Sequence, residues 1–124
     1  MVKEFNSLKD IQKYYDKETN TYIFKENEEY IDLIVFDFDL NVDANIDAGN
    51  IIARDIGAYN INAWNINASD INARDINSWG INAWNIKVRE IIANDIKAHY
   101  IITNNIYAND IFAFNIIAND ISYD

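Results

Sequence analysis

The side chains in this chain that could carry chemistry are carboxylates and aromatic rings. Asp and Glu number twenty against ten Lys and Arg, a formal net charge of −10. Eight of the acids, Glu26, Glu28, Glu29, Asp32, Asp37, Asp39, Asp43 and Asp47, form a run with no basic residue among them. Such a run is either a solvated face or a surface that meets a basic groove. Six more, Asp55, Asp70, Asp75, Glu90, Asp95 and Asp110, fall at multiples of five from one another, and so do Tyr59, Trp64, Trp79, Trp84 and His99. Regularly spaced aromatics that gather on one surface make a contact face. Catalysis is not expected. His99 is the single histidine, there is no cysteine, and neither a nucleophile motif nor a glycine-rich phosphate loop occurs. No cofactor or metal is expected either, because carboxylates strung along a line do not converge as oxygen ligands must. The charge opposes binding to phosphate backbones or anionic membranes, so the expected partner is a protein with a basic groove.

These residues need a scaffold that repeats every five positions. From Ile46 to Ile121 an isoleucine falls at every fifth residue, sixteen in all, and in twelve repeats an alanine follows two residues later. Ser78, Val88, Thr103 and Tyr123 replace that alanine in the other four. A period of five fits neither a helix nor a flat strand, so the chain turns once per repeat and stacks as a solenoid. In an extended backbone isoleucine and alanine two apart point the same way, inward. The small alanine implies a narrow interior, and four sides of about five residues, or about twenty residues per coil, is the expected geometry. Residues 1–44 do not repeat and are expected to cap residues 45–124. Ser7-Leu8-Lys9-Asp10 has capping-box spacing and starts a short helix with Leu8, Ile11 and Tyr14 or Tyr15 on one face. Asn20 turns the chain into a strand at Thr21 to Phe24, and apolar and polar residues alternate from Ile31 to Ile46 as in a half-buried strand.

The run Asn60-Ile61-Asn62-Ala63-Trp64 and its fifteen companions resemble the pentapeptide repeat family over residues 45–124. Here alanine stands two after the large residue, whereas the family places a small residue two before it. The resemblance implies an all-β, right-handed quadrilateral β-helix of about four coils beneath a small N-terminal α/β cap. Residues twenty apart then stack, with Asn45, Asn65, Asn85 and Asn105 as an amide ladder. Asn50, Asp70, Glu90 and Asp110 make a second ladder, and Asp55, Asp75, Asp95 and Asn115 a third. Asp and Asn both cap turn amides, while Arg54, Arg74 and Arg89 relieve the repulsion of stacked carboxylates. Trp64 and Trp84 share one aromatic column and Tyr59, Trp79 and His99 the next.

The last coil turns apolar, and Tyr107, Phe112, Phe114, Ile117, Ile121 and Tyr123 are the expected interface of a homodimer, which the resemblance also implies. Several pentapeptide repeat proteins are acidic rods that bind DNA gyrase where duplex DNA would lie. The resemblance therefore implies a DNA mimic acting on gyrase, a nuclease or another DNA-binding enzyme. Residues 45–124 carry nine acidic and five basic side chains, net −4. A rod of roughly 20 Å would need about twelve charges to match duplex DNA. The acids of residues 26–47 would have to supply the rest. The alternative is a protein-binding module that uses the aromatic face, with charge serving solubility. No leader or long apolar segment is apparent, and a soluble cytoplasmic protein is expected.

Overall fold

The computed structural model describes residues 2–123, and it is a β-solenoid. The N-terminal part contains β1 (Val2–Phe5), a 3-10 helix (Leu8–Tyr14), β2 (Tyr15–Asp16) and β3 (Thr21–Ile23). A small hairpin of β4 (Lys25–Glu26) and β5 (Glu29–Tyr30) follows, then β6 (Leu33–Phe36) and β7 (Leu40–Asn41). The repeats form β8 (Asn45–Ile52), β9 (Asp55–Gly57), β10 (Asn60–Asn72), β11 (Asp75–Lys87) and β12 (Glu90–Ile102). The last coils are β13 (Asn105–Ala108), β14 (Asp110–Ile117) and β15 (Asp120–Tyr123).

The coil is fifteen residues, not twenty. Ile46 pairs with Ile61, Ile61 with Ile76, Ile76 with Ile91, Ile91 with Ile106 and Ile106 with Ile121, all in parallel. The other isoleucines stack as 51-66-81-96-111 and 56-71-86-101-116. Three columns mean three sides, and the rod has about six coils instead of four. We call the sides face one (Ile46 column), face two (Ile51 column) and face three (Ile56 column). A period of five fixes one side per repeat but not the number of sides. The parallel register closes each coil after three repeats, so three isoleucines and three small residues fill each layer of the core. Every isoleucine of the repeat from Ile46 to Ile106 is 3% exposed or less.

Most sides in the middle of the rod repeat one burial pattern, with isoleucine and the small residue in and the three others out. Backbone pairing continues around the bends, for example from the Arg74 N–H to the Tyr59 carbonyl (2.7 Å) and from the Ala53 N–H to the Asn67 carbonyl (3.0 Å). Where Ser78 or Thr103 replaces alanine, its hydroxyl joins coils. The Ser78 hydroxyl lies 3.1 Å from the Trp64 carbonyl and 3.0 Å from that of Gly80. Thr103 repeats the arrangement with Arg89 and Asn105.

The non-repeating residues complete the same columns. Tyr22 pairs with Ile46, Ile34 with Ile51 and Leu40 with Ile56, so one irregular coil begins all three faces. Strand β1 adds to β6, and Phe5, Tyr14, Phe24 and Phe36 fill the N-terminal end with ring centroids 5.2–6.0 Å apart. The alternation of burial expected from Ile31 to Ile46 holds only from Ile34, since Ile31 is buried out of phase with it, and bends split the segment into β6, β7 and the start of β8. The expected capping box does not form. Ser7 makes no side-chain cap, and the Asp10 carboxylate instead accepts the Asn6 N–H (3.1 Å). In the tighter 3-10 helix Ile11 and Tyr14 are buried, while Leu8 is exposed.

Candidate contact surface

The acidic run spans more than one coil, and the fold wraps it around the rod. Asp47 lies on face one, Asp32 precedes the face-two strand β6, and Asp39 precedes the face-three strand β7. Several of these acids have local partners. Glu26 accepts from Lys3 Nζ (2.6 Å) and the Tyr14 hydroxyl (2.8 Å), with Lys13 Nζ at 3.8 Å. The Lys3 contact, followed by that of Tyr14, holds the Glu26 carboxyl below its usual range. Burial, reinforced by Glu26, pushes the Tyr14 hydroxyl up to about 12. Asp47 accepts the Tyr30 hydroxyl at 2.6 Å, and this bond, with burial, also raises Tyr30 to about 12. Asp32 and Asp43 offer main-chain carbonyls to the Asn50 and Asn20 amides, while Glu28 and Glu29 belong to the β4–β5 hairpin and Asp37 lies at the bend after β6.

The fifteen-residue coil also rearranges the expected ladders. Asp70, Glu90 and Asp110 fall on faces three, one and two, as do Asp55, Asp75 and Asp95. The true columns are Asn60-Asp75-Glu90-Asn105-Asp120, Asn50-Asn65-Gly80-Asp95-Asp110 and Asp55-Asp70-Asn85-Tyr100-Asn115. Asn45 and Asn105 lie on face one, Asn65 on face two and Asn85 on face three, so the expected amide ladder does not form. Shorter links do, from Asn65 Nδ2 to Asn50 Oδ1 (2.9 Å) and from Asn85 Nδ2 to Asp70 Oδ1 (2.8 Å). Arg89 holds Asp75 through two bonds of 3.3 and 2.9 Å. Asp39, Asp55 and Asp70 stand in sequence up face three, relieved by Arg54 3.6 Å from Asp39. Burial first, then the charges of Asp39 and Asp70, raise the Asp55 carboxyl above its usual range.

The aromatic columns change in the same way. Trp64 and Trp79 share the corner between faces one and two. Trp84, His99 and Phe114 share the corner between faces two and three. Trp84 and His99 stack at 4.3 Å and 28°, His99 and Phe114 at 5.0 Å and 16°, and Phe112 meets Phe114 edge-on at 6.2 Å. Tyr59 belongs to a third corner, where the Arg74 guanidinium lies 4.3 Å above its ring. Tyr30, which the repeat pattern gave no reason to single out, meets Trp64 edge-on at 5.6 Å.

In the last coil Phe112 and Phe114 are 63% and 69% exposed, and Tyr107, Ile117 and Ile121 are exposed as well. The side chain of Tyr123 lies outside the described residues. The inward Ile111, Ala113, Ile116 and Ala118 are only partly buried, unlike their equivalents in the middle of the rod. Among the described residues no acids or histidine gather as a metal site, and no helix is long and apolar enough to cross a membrane.

Comparison of the chain with protein-family models, with curated proteins and with solved structures found no match. Functional assignment therefore rests on the surfaces themselves.

Proposed function

We propose that this chain is a non-catalytic protein-binding rod whose contact surface is the Trp84-His99-Phe114 ladder with Phe112 and the apolar last coil. The observation that carries this reading is the ladder itself. Three stacked rings with Trp84 and Phe114 more than 60% exposed present rigid, amphipathic area at low entropic cost. The ladder runs into Phe112, which meets Phe114 edge-on, and Ile117 stands exposed on the next side of the same coil. A second copy of the chain is one partner that fits. A twofold axis perpendicular to the rod reverses the sense of travel around it, so two last coils meet as antiparallel edges and close both cores. Light scattering of the wild type and of the Phe114→Ala and Ile117→Ser variants tests the dimer. Capture of partners on wild-type and Phe114→Ala protein tests the ladder. Retained partners that ignore Phe114 would overturn the reading.

The Asp39-Asp55-Asp70 column supports a second reading, an acidic face that enters a basic groove as duplex DNA does. Binding through it weakens steeply with salt and survives Phe114→Ala. Binding through the ladder does the reverse.

A further inference from the structure

All three tryptophans of the chain stand at the two corners of face two, and two of them, Trp64 and Trp79, lie outside the aromatic ladder. Trp79 and Trp84 bracket a single strand segment, Trp79-Gly80-Ile81-Asn82-Ala83-Trp84, and are 65% and 62% exposed. A five-residue separation in extended chain places them at most about 16 Å apart. Trp64 stands one coil below Trp79 at the same corner.

The outward surface between these two corners is uncharged over three coils, and the tryptophans stand at its margins. Across three coils its outward residues are Asn50, Ile52, Asn65, Asn67, Gly80 and Asn82. In a chain of net charge −10 this contrasts with face three, whose outward residues over the same coils include Asp55, Asp70 and Lys87. A groove of about 330 Å³ runs between the two outward columns, from Leu33 to Asn82. Gly80 keeps it open, since a Cβ there would come 2.8 Å from Asn65 Oδ1. The Asn67 and Asn82 amides stack one above the other in the outward column and make no side-chain hydrogen bond to other described residues. Each therefore offers a free carbonyl acceptor and a free NH2 donor.

We infer that face two is a binding surface for a neutral oligosaccharide. Indole faces pack against the C–H faces of pyranose rings, and a side-chain amide can donate to one hydroxyl and accept from its neighbour. A ligand without charge matches a face without charge. A peptide added as a strand does not fit, because every strand of this face in β8, β10 and β11 already pairs within the sheet.

The tryptophans supply the readout. Full-length chain is probed on an array of neutral glycans, and the best-retained glycan is then titrated while indole emission is followed. The expected result is saturable binding that is insensitive to salt. Trp79→Ala weakens it at least tenfold, Asn67→Ala with Asn82→Ala weakens it several-fold, and Phe114→Ala leaves it unchanged. Circular dichroism confirms that each variant is folded. Retention of no neutral glycan would overturn the inference, as would binding undiminished in Trp79→Ala. It would also be overturned if Trp79→Ala abolished capture of a protein partner instead. Because the protein-binding ladder depends on Phe114 and this surface on Trp79, either can fail alone.

Discussion

Trp84 and His99 stack with ring centroids 4.3 Å apart and planes 28° from parallel, although fifteen residues separate them. His99 is the middle ring of the ladder, since its other face meets Phe114 at 5.0 Å. His99→Ala removes both ring pairs and leaves Trp84 and Phe114 two coils apart. With roughly 0.5–1.5 kcal/mol for an aromatic pair, and both outer rings solvated, the expected loss is about 1 kcal/mol. Urea unfolding of wild type and variant measures it, and His99→Phe should restore the value.

The coil length is where sequence reading and structure part. The isoleucine period and the inward alanine were enough to read a solenoid with one repeat per side, because both follow from local backbone direction. How many sides close a coil is a question of packing at the axis, and no residue spacing below fifteen encodes it. A coil of fifteen residues instead of twenty moves every surface column: Trp64 stacks with Trp79 and not Trp84, and Asp70 with Asp55 and not Glu90. The separation of fifteen was nevertheless present in the chain, in Trp84, His99 and Phe114 and in Tyr59, Arg74 and Arg89. Tyr30 was not legible, because it belongs to an irregular hairpin and meets Trp64 only through the fold.

Ser78 breaks the alanine series, yet returning it to alanine should destabilise the rod. Its buried hydroxyl lies between the Trp64 carbonyl of one coil and the Gly80 carbonyl of the next. A hydrogen bond of this kind contributes about 1 kcal/mol net. Ser78→Ala is expected to lower the denaturation midpoint by a corresponding amount. Thr103→Ala, which removes the equivalent link to Arg89, should behave alike. Equal or higher stability in both variants would contradict the assigned role.

Two carboxylates should respond to pH in opposite directions. Glu26 is held below its usual range by Lys3 and Tyr14. Its contribution is therefore present above the unfolded value near 4.5 and is lost as pH falls through the folded value. Asp55 is raised by burial and by Asp39 and Asp70, so its ionised form opposes folding above its folded value. Protonation at Asp55 relieves that opposition as pH falls. At neutral pH Glu26→Gln should lower the melting temperature and Asp55→Asn should raise it. Both differences from wild type should shrink in acid, which melting curves from pH 7 down to about pH 3 would record.

The fifteen-residue coil itself can be tested by covalent chemistry, since the chain contains no cysteine. Asn62 lies opposite Asn77 on face one, whereas Asn82 belongs to face two. Neighbouring strands are about 4.8 Å apart, within the Cα separation of roughly 4.4–6.8 Å that a disulfide spans. The Asn62→Cys, Asn77→Cys double variant should therefore oxidise readily to an intramolecular disulfide and gain thermal stability. The Asn62→Cys, Asn82→Cys pair, which a twenty-residue coil would stack, should remain as free thiols under the same mild oxidation. Thiol titration and non-reducing electrophoresis distinguish the two, and the opposite pattern would return the rod to four sides.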